Sequence, residues 1–103
     1  MFLTIKKQTR SSIEIPFFFE LDNSKFNAYL KEKYSITGKI LGSKKEFSED
    51  KLQVIHTTTW NSYDDFKCFI SDTVCLEGLI LPNKNYDIEN RITADNEYIW
   101  GDI

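Results

Sequence analysis

Glycine, proline, cysteine and histidine are all scarce in this sequence: four glycines, two prolines, two cysteines and one histidine in 103 residues. One histidine and two cysteines cannot assemble a zinc site of the usual donor set. The glycines, Gly38, Gly42, Gly78 and Gly101, nowhere cluster into a loop that could cradle phosphate. No serine sits in a nucleophile elbow. Cys68 and Cys75 lie seven positions apart. On one continuous helix that interval is roughly 10 Å, beyond bridging range, so buried free thiols are expected. No apolar run approaches the ~20 residues that span a bilayer. The opening Met-Phe-Leu-Thr-Ile-Lys-Lys has no apolar signal region followed by a cleavage site. A soluble, unprocessed, cytoplasmic protein without a membrane partner is expected. An excess of positive charge is also missing. With a formal net charge of −3 and a pI near 5.1, the chain has no global electrostatic reason to bind nucleic acid. Lys6, Lys7 and Arg10, and Lys44 with Lys45, read as solvated strand ends, the alternative being a local basic patch.

Aromatic residues, by contrast, are plentiful. Eight Phe, five Tyr and two Trp predict a compact core of large side chains in a single domain covering residues 1–103. The abundance of Lys, Asn, Ile and Phe fits an AT-rich genome, a bacterium or a phage infecting one.

Phe2 to Gln8 alternates imperfectly, with Leu3 and Ile5 on one face and Phe2 and Thr4 on the other, and predicts a strand. Thr9 to Ser12 reads as a polar connection. Ile13 to Leu21 is the most apolar segment. Pro16 argues against a central strand there, so an extended edge segment is expected, its rings packed over the core or in a subunit contact. The sharper reading makes Phe17 and Phe19, with Thr58, the walls of a ligand pocket. Asp22, Asn23 and Ser24 offer N-caps for a helix to about Tyr34, whose apolar stripe is Phe26, Tyr29, Leu30 and Tyr34. Ser35 to Phe47 predicts a strand, with Gly38 and Gly42 permitting a bend or bulge. Ser48 to Lys51 is a polar turn into a second strand starting at Leu52, and the two make a hairpin.

On that strand Leu52, Val54, His56, Thr58 and Trp60 share one face, and three consecutive threonines favour the pleat. Ser62 then caps a helix, with Asp65 in a variant capping box and Tyr63, Phe66, Phe69 and Ile70 as the buried stripe. Val74 to Leu81 reads as a short helix stopped by Pro82. Asn83 to Ile92 carries a further helical turn or two. Glu97 to Trp100 is a last strand. From about residue 83 the tail is not placed in the fold.

In order, these elements form a ferredoxin-like βαββαβ arrangement, an α+β fold with an antiparallel sheet. A strand running into Trp60-Asn61-Ser62-Tyr63-Asp64-Asp65-Phe66-Lys67-Cys68-Phe69 resembles the dimeric α+β barrel superfamily, which includes the antibiotic-biosynthesis-monooxygenase-like domains. The likeness extends back through Phe26 to Lys39 and the hairpin. It implies a homodimer whose sheets pair into a closed barrel, removing exposed edges. The superfamily holds cofactor-free monooxygenases, haem-degrading enzymes, dehydratases and ligand-sensing domains, so the fold alone does not name a function.

The haem-degrading branch uses an axial histidine on the helix after the tryptophan. Tyr63 to Leu81 contains none, so haem is not expected, nor is any other cofactor. The candidate catalytic residues are His56 and Trp60. An imidazole with an ordinary pKa near 6.5 could take a proton from an acidic substrate, and Trp60 could hold a ring. The competing reading makes His56 a hydrogen-bonded residue of the sheet and Trp60 a core or interface residue that ends the strand. Three functions follow from these readings. The first is a non-catalytic binding or accessory homodimer. The second is a cofactor-independent monooxygenase-like enzyme acting on a small aromatic molecule. The third is a protein-interaction module using residues 17–19.

Overall fold

The alternation at the start of the chain is realised as β1 (Phe2–Thr9), the strand around which the sheet is built. The computed structural model describes residues 1–21 and 24–100, with the side chains of 24 and 25 outside that description. The caps expected from Asp22, Asn23 and Ser24 therefore lie outside the described residues. After β1 come α1 (Ser24–Leu30), a π turn (Lys31–Ser35), β2 (Ile40–Phe47), β3 (Gln53–Trp60) and α2 (Tyr63–Ser71). A continuous helical stretch then runs through α3 (Thr73–Cys75), a second π turn (Leu76–Ile80) and α4 (Leu81–Glu89) to β4 (Thr93–Trp100). The four strands are ordered β2-β3-β1-β4 and every pairing is antiparallel. This is the ferredoxin-like α+β arrangement that the order of elements predicts.

One sheet face carries the core. The buried strand residues Phe2, Gln8, Val54 and Trp60 share it. At one end Phe2, Trp60, Tyr34 and Cys75 form a cluster flanked by Phe26, Tyr29, Leu30, Ile40, Phe66 and Phe69. The stripe predicted for the first helix is thus the one buried. At the other end Phe17, Val54 and Ile92 pack with Ile15, Phe19 and Tyr86. The opposite face presents Leu3, Ile5, Ile55 and Ile99, of which Ile55 and Ile99 are about two-fifths exposed.

Several boundaries differ from the sequence reading. The helical path continues through Ser35, so β2 begins at Ile40 rather than residue 35. Gly38 makes the reversal at φ +80°, a conformation open to glycine. The bulge falls between Ile40 and Gly42. Segment 13–21 is not an edge strand; it is a loop with one 3₁₀ turn at Phe18–Glu20. The edges belong to β2 and β4.

Ser62 does cap α2, accepting from the Asp65 N–H at 3.2 Å while its hydroxyl donates to Asp65 Oδ2 at 2.9 Å. The stripe of α2 is narrower than predicted. Phe66 and Phe69 pack on the core, whereas Tyr63 and Ile70 are exposed. Cys75 is buried as expected, but Cys68 is exposed on α2. Pro82 does not stop the helix, because it falls in the first turn of α4, where a missing N–H is tolerated. The Leu81 N–H closes the preceding π turn on the Leu76 carbonyl. A Cβ at Gly78 would meet Phe26 at 3.2 Å, so glycine lets this turn approach α1 closely. β4 begins at Thr93, earlier than the predicted Glu97. Among the described residues, no helix is long and apolar enough to cross a membrane.

Candidate functional site

Successive residues of a strand point to opposite faces, so register alone sorts the core face into rows. The first row, from β4 across to β2, is Trp100, Phe2, Trp60 and Ile40. The second is Tyr98, Thr4, Thr58 and Ser43. Asn96, Lys6, His56 and Lys45 form the third. Ala94, Gln8, Val54 and Phe47 form the fourth. The outer rows anchor the two apolar clusters, and the middle rows are hydroxyls and basic groups. This is an unusual surface to turn toward a helical layer, since each polar group withdrawn from water needs a partner.

The central members of those rows, Thr4, Lys6, His56 and Thr58, are half-buried, while Ser43, Lys45, Asn96 and Tyr98 are exposed at the two sides. The polar strip therefore stays reachable from both sheet edges.

His56 is held by a relay. Gln8 Nε2 donates to Asp87 Oδ2 at 2.8 Å, which turns the Gln8 amide oxygen toward His56 Nε2 at 3.0 Å. An amide oxygen only accepts, so His56 carries its proton on Nε2 and leaves the Nδ1 lone pair free of this bond. Burial, then the charges of Lys45 and Lys6, push the imidazole down to about 4, so it is neutral at ordinary pH. Phe19 packs against the ring in a T-shaped contact, centroids 4.9 Å apart. Lys45 Nζ lies 5.1 Å from the Phe19 centroid. Lys6 is pushed down by burial and partly restored by Asp87, whose own carboxyl burial pushes up. Asp87 Oδ1 and Asn83 Oδ1, one helical turn apart on α4, are buried without a hydrogen-bond partner.

The other candidate residues fall in different places. Trp60 is 3% exposed in the first cluster, and its Nε1–H donates to Thr4 Oγ1 at 3.1 Å. It lies four residues from His56, roughly 13 Å along the strand. Phe17 is fully buried in the second cluster, where the Arg10 guanidinium sits 4.3 Å from its ring centroid. Phe19 and Thr58 border His56, so of the five candidates these two join it and Trp60 does not.

Gln8 and Asp87 enter the site without having been singled out in the sequence, and Lys6 and Lys45, expected as solvated strand ends, lie inside β1 and β2 beside His56. Their signal was the polar character of Thr4, Lys6 and Gln8 at the spacing of the Phe2 face. A separate cleft of about 250 Å³, lined by Phe2, Tyr63, Phe66, Tyr98 and Trp100, opens beside the hydroxyl row. Among the described residues, no three His, Cys, Asp or Glu side chains converge as a metal site.

No protein-family model matches the sequence, and no curated protein does. Solved structures do match in fold. A dimeric ferredoxin-like protein from an uncultured marine organism superposes with a TM-score of 0.69 at 12% identity, over 100% of this chain and 98% of that one. SnoaB, a cofactor-independent oxygenase from Streptomyces nogalater, gives a TM-score of 0.66 at 9% identity, over 97% of this chain and 91% of its own. A candidate antibiotic biosynthesis monooxygenase from Deinococcus radiodurans gives 0.63 at 7% identity, over 100% and 94%. The chain shares the ferredoxin-like fold of these proteins. At these identities the likeness concerns fold alone.

Proposed function

We propose that this protein is a homodimeric binding protein for a small aromatic molecule, held between the middle rows of the sheet and the helical layer. The observation that carries the reading is the polar strip Thr4, Thr58, Lys6 and His56, half-buried between two apolar clusters. A sheet face that only packed helices would be apolar at those positions. The aromatic cleft next to Tyr98 would seat the ring system, and the strip would meet its polar groups.

Pairing through the opposite face, with Leu3, Ile5, Ile55 and Ile99, would cover aliphatic surface, and proteins of the same fold are dimeric. The interaction-module reading is less supported. Phe17 is buried and Phe19 packs on His56 and Phe47, so those rings are spent inside the chain.

One feature favours a catalytic variant of the same site, a cofactor-independent oxygenase. His56 is neutral and oriented through Gln8, with Nδ1 available to accept a proton from an acidic ring hydroxyl. Trp60, buried and donating to Thr4, would then be structural and His56 the base.

The test is titration of ¹⁵N-labelled protein with a panel of bicyclic and tricyclic aromatics, followed by oxygen uptake with each binder. Shifts centred on the amides of Thr4, Lys6, His56 and Thr58 and on the cleft residues Phe2, Tyr98 and Trp100 are expected. Shifts confined to the outer sheet face, or none at millimolar ligand, would sink the pocket. Oxygen consumption abolished in His56→Gln would promote the catalytic variant. Light scattering that finds a monomer at micromolar concentration would remove the dimer.

A further inference from the structure

We propose that Lys6, His56 and Lys45 form a subsite for an ionised oxygen acid, a carboxylate or phenolate, on the aromatic ligand. The proposal deepens the reading above and rests on it. Register places Lys6 and Lys45 directly across from His56, one on each neighbouring strand. Adjacent strands are about 4.8 Å apart, so the two lysine backbones stand roughly 10 Å from one another. Flexible four-carbon stems can close that span over one carboxylate.

Among the described residues neither ammonium is in an ion pair, and Lys45 rests only over the Phe19 ring. The ion pairs among the described residues are Arg10 with Glu20, Lys33 with Asp72 and Lys44 with Glu46. Lys44 is adjacent to Lys45 but lies on the opposite face of β2, where it takes Glu46 at 2.8 Å. The charged groups that bear on the imidazole and its row are Lys6 from β1, Lys45 from β2 and Asp87 from α4. Asp87 acts on Lys6 through its charge without an ion pair between them, its Oδ2 accepting from Gln8. The loop contributes only Phe19. Both lysines disfavour a proton on His56, which is how a site of positive potential without a bound anion behaves.

His56 adds selectivity for the oxygen acid. Its Nε2–H is held by Gln8, which leaves Nδ1 as the nitrogen for a ligand. That nitrogen accepts from a hydroxyl while neutral, and donates to the anion if the incoming charge draws a proton onto it.

The experiment compares 2-naphthoate with 2-naphthalenemethanol, a neutral analogue of similar size, by ¹H–¹⁵N titration at pH 7 and low salt. The carboxylate should bind at least about tenfold more tightly, as a charge-assisted contact would give. That preference should collapse in Lys6→Met and Lys45→Met, which keep most of the stem. Equal binding of the two probes overturns the anion subsite and leaves the pocket standing. Binding of neither probe overturns both. A measurement without ligand guards against a silent pocket: in Lys45→Met the His56 titration midpoint should rise from about 4 toward its ordinary value. An unmoved midpoint would show that the row does not act together and would defeat the proposal.

Discussion

The Tyr34 hydroxyl donates to Asp72 Oδ2 at 2.7 Å, joining the end of the first helix to the junction of α2 and α3. The same oxygen accepts from the Tyr29 hydroxyl at 2.7 Å and from Lys33 Nζ at 2.9 Å, while Oδ1 caps the Val74 N–H at 3.0 Å. Lys33, then Tyr29 and Tyr34, hold the Asp72 carboxyl well below the usual carboxylate range. Burial, then Asp72, pushes the Tyr34 hydroxyl far above its ordinary value. Tyr34→Phe removes one charge-assisted bond and should cost about 1.5–3 kcal/mol in urea denaturation. The sign of the pH effect follows. Asp72 has a folded pKa below its unfolded one, so its contribution is present above the unfolded carboxylate range and is lost as pH falls below it. Asp72→Asn should therefore flatten the acid limb of the stability profile, and an unchanged limb would show that Asp72 is not its source.

His56 produces a second acid limb. Its folded pKa, about 4, lies below the ordinary 6.5, so between those values the unfolded chain binds a proton that the folded chain refuses. Stability should fall as pH drops through that window. The full slope for one proton is about 1.4 kcal/mol per pH unit, to be discounted because the ring is only half-buried. His56→Gln should remove this limb and leave that of Asp72 in place.

Arg10 is the fastener of the aromatic loop. It is 5% exposed and donates Nε and Nη2 to the Lys51 carbonyl, at 3.0 and 2.8 Å. Its Nη1 reaches the Ile15 carbonyl at 2.9 Å and Glu20 Oε1 at 3.1 Å. Glu20 in turn accepts from the Phe17 N–H. Arg10→Ala should destabilise the protein by about 2–4 kcal/mol and loosen Phe17. Arg10→Lys should not rescue it, because one ammonium cannot serve both ends. Urea denaturation of the two variants checks this.

Helix α4 ends in a Schellman turn. The Ile92 N–H bonds the Asp87 carbonyl at 2.8 Å and the Arg91 N–H bonds that of Ile88 at 3.3 Å. Arg91 sits at φ +56°, where glycine is the usual occupant. Arg91→Gly should raise stability by up to about 1 kcal/mol, the steric relief being partly offset by the freer unfolded chain. A thermal melt reads the sign directly.

That turn also shows why part of the chain could not be read. With arginine where glycine would mark a helix end, nothing in Asn90-Arg91-Ile92 announces the stop. Thr93 to Asn96 carries no apolar alternation, because every β4 residue is exposed, so the edge strand has no buried face to write into the sequence. Conversely, the Phe26, Tyr29, Leu30 and Tyr34 stripe, the Ser62 cap and the hairpin were legible, since each is a local demand met by local residues. The site was half legible. His56, Thr58 and Phe19 carried a signal, but Lys6 and Lys45 join them only through strand register, a long-range fact. Pro82 misled because its meaning depends on whether it opens or interrupts a helical turn.

The position of β1 has a kinetic consequence. It is bonded on one side to β3 and on the other to β4, pairing Phe2 with both Trp60 and Trp100. The hairpin of β2 and β3 is the sheet's one local pairing, so it is the cheapest nucleus in loop entropy. Closing β1 against β3, and then β4 against β1, joins segments ever farther apart in the chain. Until the last strand docks, the first has an open hydrogen-bonding edge. The folding intermediate most exposed to mispairing is therefore the one that already has its centre but still lacks β4.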